Sequence, residues 1–193
     1  MDRYDELLRT DVFGMPVHKT SVAHIHLTAD QACVADADGI LKDATLDAEK
    51  TTEVTEFLNP MPYPRNLTVV ASAATGENAK VIVYGTNIAD QAIGEEFTLA
   101  GDTPVVGIKA FKAITKIVLP VAAGSETINV GWGDKIGLPF MMEDKTLVFA
   151  LQAGALETTP PTLAADADEI EKNTIDLNSA LHSEKAVDIF LFL

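Results

Sequence analysis

The stretch that decides the fold opens with Pro62-Tyr63-Pro64-Arg65-Asn66-Leu67-Thr68-Val69-Val70 and closes with Val130-Gly131-Trp132-Gly133-Asp134-Lys135-Ile136-Gly137-Leu138-Pro139. Between these ends, short runs rich in β-branched residues alternate with turn residues. Residues 67–72 read as a strand, followed by a turn at Ala74-Thr75-Gly76-Glu77-Asn78. Residues 79–86 follow, with Val81 and Val83 opposed to Lys80, Ile82 and Tyr84 by the two-residue period of a pleated strand. Residues 87–94 connect to a strand at 95–100, and Gly101-Asp102 turns the chain again. Residues 105–108, 112–119 and 127–132 are further strands, with Gly133-Asp134 expected to end the last. Short strands at this spacing predict an all-β domain, a β-sandwich or small β-barrel, rather than alternating βα units.

Outward from this core (residues 60–151 with the strand expected at 146–151), the pattern loosens. Residues 1–20 read as an extended N-terminal arm: Asp2 suits the cap of a helical turn carrying Tyr4, Leu7 and Leu8, Phe13 adds a further apolar side chain, and Gly14 and Pro16 break any regular element. So short a turn gains little alone and must dock on its own domain or on a neighbouring subunit. Residues 22–28 are a strand with Ala23, Ile25 and Leu27 on the buried side and His24 and His26 together on the more polar side. Two histidines there are close enough to share a metal, but a site needs three or four convergent ligands and no third is spaced nearby, so solvent-facing histidines are expected. Asp36-Ala37-Asp38-Gly39 opens like a calcium loop, yet Ile40 stands where an oxygen ligand belongs and Asp47 where a glutamate does; a tight turn is expected instead. Residues 51–57 have β propensity, and Asn59-Pro60-Met61-Pro62-Tyr63-Pro64 forces an extended connection.

After residue 151 the texture changes. Gly154, Pro160, Pro161 and the run Asp166-Ala167-Asp168-Glu169-Ile170-Glu171 predict a long C-terminal loop over 154–184 with a solvated acidic surface. Residues 186–193 form a closing strand. An ending as apolar as Ile189-Phe190-Leu191-Phe192-Leu193 must be buried in a sheet or against another subunit, which makes Phe190 and Phe192 candidate partner contacts. Lys109 and Lys112 flank Phe111 and either meet an acidic partner or shield a sheet edge.

Composition bounds the function. A chain of 193 residues buries roughly 70% of its unfolded surface and needs no staple. Hydrophobic residues at 47% and charged residues at 22% describe one globular domain, here 21–193, with its arm. The single cysteine, Cys33, rules out an internal disulfide framework and reads as a small apolar residue. With 14 basic against 29 acidic residues the net charge is −15, which argues against nucleic acid and anionic membranes as partners, since both need a basic footprint. The N-terminus has no apolar signal segment, and no run approaches the about 18 apolar residues of a membrane helix.

A search for catalytic and cofactor constellations is negative. No Gly-Lys-Ser/Thr phosphate loop and no Gly-x-Ser-x-Gly elbow occurs, and Gly131, Gly133 and Gly137 open no helix and so make no dinucleotide fingerprint. Carboxylates are abundant enough for a two-acid glycosidase, but with aromatics at 6% and one Trp the stacking platforms common in sugar sites are scarce. The residues point to a chain that binds or builds, with no catalytic residue, cofactor or metal expected.

Four phrases carry a resemblance. Tyr63-Pro64-Arg65-Asn66-Leu67-Thr68-Val69, Tyr84-Gly85-Thr86-Asn87-Ile88, the run from Lys109 to Pro120, and Val130 to Pro139 together resemble structural proteins of tailed bacteriophages and prophages encoded in the head-morphogenesis region. The resemblance covers about residues 60–140; the flanking 1–59 and 141–193 lie outside it. It implies a virion component made in the bacterial host cytoplasm, a capsid decoration or cement protein of Ig-like β-sandwich type. Its partner would be the major capsid protein, bound at the capsid surface, with the chain acting as a homo-oligomer, a trimer favoured. A tail, neck or head-fibre component is the nearest alternative, and a carbohydrate- or receptor-binding module on the same sandwich is the other.

Overall fold

Alternation along the strands sorts the apolar residues into two separate cores. In the structure, a computed structural model that describes residues 22–72, 79–142 and 148–192, the strands in chain order are β1 (Val22–Leu27), β2 (Asp36–Thr45), β3 (Thr52–Val54), β4 (Arg65–Ala71), β5 (Lys80–Thr86), β6 (Ala92–Thr98) and β7 (Val105–Phe111). They continue as β8 (Ala113–Leu119), β9 (Thr127–Gly137), β10 (Val148–Gln152), β11 (Ala155–Leu156), β12 (Thr162–Ala164), β13 (Thr174–Asp176) and β14 (Val187–Phe192), with a 3-10 turn at Ile170–Lys172 before β13. The fold is all-β, as the strand spacing predicts.

One sheet runs β12-β13-β9-β4-β7, with β2 also paired to β9; a second runs β3-β8-β5-β6. Their facing sides enclose the first core, in which Leu67, Val69, Val81, Val83, Phe97, Phe111, Ile117, Ile128 and Val130 are fully or almost fully buried. The sheet β1-β14-β10-β11 closes the second core, built from Leu27, Ile136, Leu138, Ala150, Leu163, Ile175, Val187, Ile189 and Leu191. Burying each such side chain is worth about 1.5–3 kcal/mol, so both cores contribute substantially.

Strand β9 joins the two. Its 11 residues give Ile128, Val130 and Trp132 to the first core and Ile136 to the second. Close backbone packing explains the glycines beside Trp132. A Cβ on Gly131 would lie 1.7 Å from the Asp36 carbonyl oxygen of β2, and one on Gly39 would lie 2.5 Å from the Trp132 ring.

Four expectations are corrected. Asp36-Ala37-Asp38-Gly39 is the start of β2 and not a tight turn, because the Trp132 ring and the β9 backbone receive it as a strand. The strand expected at 51–57 is only Thr52–Val54 long; beyond it the Leu58 N–H donates to the Ile40 carbonyl 3.0 Å away, outside the pairing with β8. Gly133-Asp134 does not end β9, which pairs again with β4 at Ile136. Residues 154–184 are not one long loop: they carry β11, β12, the 3-10 turn and β13, since Leu163 and Ile175 are apolar anchors in the second core within a polar stretch. The arm residues Tyr4, Leu7, Leu8 and Phe13 lie outside the described residues.

Candidate functional site

The central strand β4 meets an irregularity on each side. Against β9, Arg65 pairs with Ile136 and Leu67 with Trp132, so Asn66 alone opposes Gly133, Asp134 and Lys135. Against β7, Asn66 pairs with Ala110 and Thr68 with Val106, so Leu67 alone opposes Gly107, Ile108 and Lys109. Bulges of this kind bend the strand and re-aim its side chains. The fully buried Asn66 holds both: its Oδ1 accepts the Lys135 N–H at 3.0 Å and its Nδ2 donates to the Gly107 carbonyl at 3.3 Å. Beside it, Arg65 is also fully buried and donates from Nη1 to the Gly133 carbonyl at 3.1 Å, while its Nε and Nη2 have no hydrogen-bond partner among the described residues. Burial pushes the guanidinium pKa down, and the nearby Cys33 and Asp134 pull it back up.

The β9 bulge opens a groove of about 430 Å³ across the outer side of the larger sheet. Thr68, Val106, Trp132, Asp134, Lys135 and Asp176 line it. Because of the bulge, the consecutive Asp134 and Lys135 border the same groove instead of opposite faces. Among the described residues neither the Asp134 carboxylate nor the Lys135 ammonium has a hydrogen-bond or ion-pair partner, and Asp176 accepts only the Asn178 N–H at 2.9 Å. Burial raises the Asp134 pKa above the ordinary carboxylate range; Arg65 opposes the rise and Asp176 adds to it. Trp132 anchors the groove wall, its Nε1–H donating to the Val34 carbonyl at 3.1 Å.

The outer face of the sheet β1-β14-β10-β11 is the second candidate surface. Strand register puts His26, Asp188, Leu151 and Leu156 in one row and His24, Phe190 and Phe149 in the next. The rings of the second row stack across three strands, with centroids 4.4 Å apart between His24 and Phe190 and 4.8 Å between Phe149 and Phe190. His24 Nε2–H and His26 Nδ1–H both donate to Asp188 Oδ1, at 2.7 and 2.8 Å. These bonds, that to His26 first, pull the Asp188 pKa below its ordinary value. Val22 at 54% and Leu156 at 64% exposure leave this face substantially apolar and open. Asp188 is the third polar group that the linear sequence did not supply for the two histidines; even so, among the described residues no group of three His, Cys, Asp or Glu is placed to hold a metal ion.

The residues singled out in the sequence fall in different places. Phe190 is half-buried within the ring stack, and Phe192 pairs with Val22 in the same sheet. Lys109 reaches Glu169 at 2.9 Å and Glu171 at 3.2 Å, within its own chain. Lys112 pairs on the surface with Asp90 at 2.7 Å and borders a shallow groove of about 320 Å³ with Phe57 and Met61. The acidic run is not a solvated surface throughout. Glu171 is only 7% exposed and also accepts the Asn87 Nδ2–H at 3.0 Å, because the 3-10 turn packs against β7. Sequence reading passed over Arg65, Asn66, Asp134, Lys135 and Asp176 as a group. The signal was present in two of the phrases that carry the resemblance, Pro64-Arg65-Asn66 and Gly131-Trp132-Gly133-Asp134-Lys135, which meet at one bulge.

Among the described residues no helix is long and apolar enough to cross a membrane. Comparison with protein families, curated proteins and solved structures finds no match to this chain.

Proposed function

We propose that the chain is a non-enzymatic structural component of a tailed-phage virion that binds the outer surface of the major capsid lattice and stabilises it as a decoration protein. The observation that carries the reading is the outer face of the terminal sheet, where the exposed Val22 and Leu156 flank the half-buried Phe190. Exposed apolar patches rimmed by polar groups mark protein interaction sites. The phrase resemblance over residues 60–140 supplies the kind of partner, and the acidic balance of −15 suits a protein that coats a particle at high local concentration. Attachment as a trimer multiplies weak contacts into stable occupancy, since linked binding events raise the effective concentration of the next.

The test is to add the purified protein to expanded, undecorated capsids of the phage or prophage that carries the gene and to image them. Added density over the capsomers is expected, weakened when Phe190→Ser and Leu156→Ser are combined. Bare capsomers at saturating protein would sink the reading.

A further inference from the structure

We infer that the groove made by the β9 bulge is a saccharide-binding site that takes a neutral mono- or disaccharide. This goes beyond the capsid reading and does not depend on it.

The chemistry of the groove selects the ligand class. Its volume of about 430 Å³ falls within the about 300–1,000 Å³ of small-molecule sites, which combine apolar walls with a few placed polar groups. Here the apolar walls are Pro104 and Val106, and the polar groups are Asp134, Lys135 and Asp176. The charges balance: two carboxylates border the groove, and the Lys135 ammonium and the buried Arg65 guanidinium oppose them. A net cationic or anionic ligand would therefore leave one sign uncompensated, whereas a ligand with many hydroxyls both donates to the carboxylates and accepts from the ammonium. A sugar ring also has an apolar C–H face to set against Pro104 and Val106.

Two features make this a built site. Asp134 and Lys135 are on the same groove only because Arg65 and Asn66 hold three residues of β9 against one of β4. Among the described residues both side chains then stand without hydrogen-bond or ion-pair partners beside a fixed backbone, the state expected of groups that await a ligand. The Thr68 hydroxyl lies out of solvent reach with no partner among the described residues, so contacts to the ligand come from the charged rim and not from Thr68.

Trp132 is the one tryptophan of the chain and borders the groove, so its emission reports occupancy directly. The folded full chain is titrated with glucose, galactose, mannose, N-acetylglucosamine and their disaccharides, with arginine and citrate as charged probes. A saturable change in Trp132 emission is expected with at least one neutral sugar. Asp134→Asn and Asp176→Asn should each weaken that sugar by about tenfold, the loss of one charge-assisted hydrogen bond, with an unchanged melting temperature. Lys135→Met, which alters no backbone contact of the bulge, provides a second variant with the same expectation. Silence across the neutral sugars, tighter binding of arginine or citrate, or sugar binding unaltered in all three variants would each overturn the assignment.

Discussion

The Lys109 ammonium lies 3.2 Å from a carboxylate oxygen of Glu171, across 62 residues of chain, and the same carboxylate takes the Asn87 amide on its other oxygen. Lys109 sits in the β7 bulge and Glu171 in the 3-10 turn, so this contact ties the segment that leads into the second core to the sandwich of the first. Lys109 is 19% and Glu171 7% exposed, so neither charge is freely hydrated. Removing one partner leaves the other buried with too few contacts. Lys109→Met should therefore destabilise the protein by about 1–3 kcal/mol, toward the low side because Lys109 keeps some solvent. Hydrogen exchange should locate the loss in residues 162–176 first. Uniform exchange across the sandwich with no extra loss there would contradict the latch.

Asp188 allows a pH test of the terminal sheet. Its folded pKa is held below the ordinary value by the two imidazole donors, His26 first. A depressed carboxylate contributes stability that is fully present above its unfolded value of about 3.9 and lost as pH falls through the folded value. Asp188→Asn keeps the shape and one acceptor oxygen but not the charge. The variant should melt about 2–4 °C below the parent near neutral pH, the effect of about 1 kcal/mol on a chain of this size. The two melting curves should converge once the parent carboxylate is protonated. A gap that stays constant into strong acid would show that the charge of Asp188 is not what the histidines recognise.

Glu95 of β6 has the opposite sign. Burial raises its pKa, although it accepts the N–H groups of Ile108 at 2.7 Å and Lys109 at 3.4 Å inside the β7 bulge. A carboxyl whose folded pKa is raised favours the native state below its unfolded value of about 4.3, and that contribution is lost as pH rises through the folded value. Above the folded value, then, the fold accepts an awkward charge in return for an acceptor. Glu95→Gln keeps an acceptor for the shorter Ile108 bond and gives up the 3.4 Å contact to Lys109 together with the charge, so it should stay close to the parent in melting temperature near neutral pH. Glu95→Ala removes both and should cost about 1–3 kcal/mol, the penalty of a donor left without its partner. Equal loss in both variants would mean that the charge, not the acceptor, supports the bulge.

Period-two alternation made the strands and much of the first core legible, because Val81 and Val83, or Ile117 and Leu119, announce a buried face within a few residues. The second core was harder to read. Its members come from β1, the end of β9, β10, β12, β13 and β14, and Leu163 and Ile175 are sparse apolar residues in a polar stretch whose burial depends on partners far along the chain. The candidate sites lie at the same limit. His24 and His26 were visible as a pair, but Asp188 reaches them only through the β1–β14 register. Gly133-Asp134 reads locally as a turn. It continues as strand because Arg65 and Asn66, whose polarity suggests a surface, are drawn fully inside to hold it.

That inversion makes Asn66 the most exacting position to substitute. It has no exposure, it accepts from Lys135, and its amide nitrogen serves the Gly107 carbonyl at 3.3 Å and approaches the Leu67 carbonyl at 3.5 Å. Asn66→Asp is nearly isosteric yet turns the donor nitrogen into a second acceptor, so two carbonyls would face a carboxylate in a buried space. Asn66→Ala abandons all the contacts but introduces no repulsion. If the hydrogen bonds alone mattered, the two variants would lose similar amounts. Because a buried charge facing acceptors is costlier than an empty site, Asn66→Asp should lose more, about 3–5 kcal/mol against about 2–3 kcal/mol for Asn66→Ala near neutral pH. The order should reverse or vanish in acid, where the aspartate is protonated and donates again. Chemical denaturation at both pH values decides it, with Trp132 emission following the β9 bulge: a red shift in each native variant is expected, and an unshifted spectrum would mean that the bulge holds without Asn66.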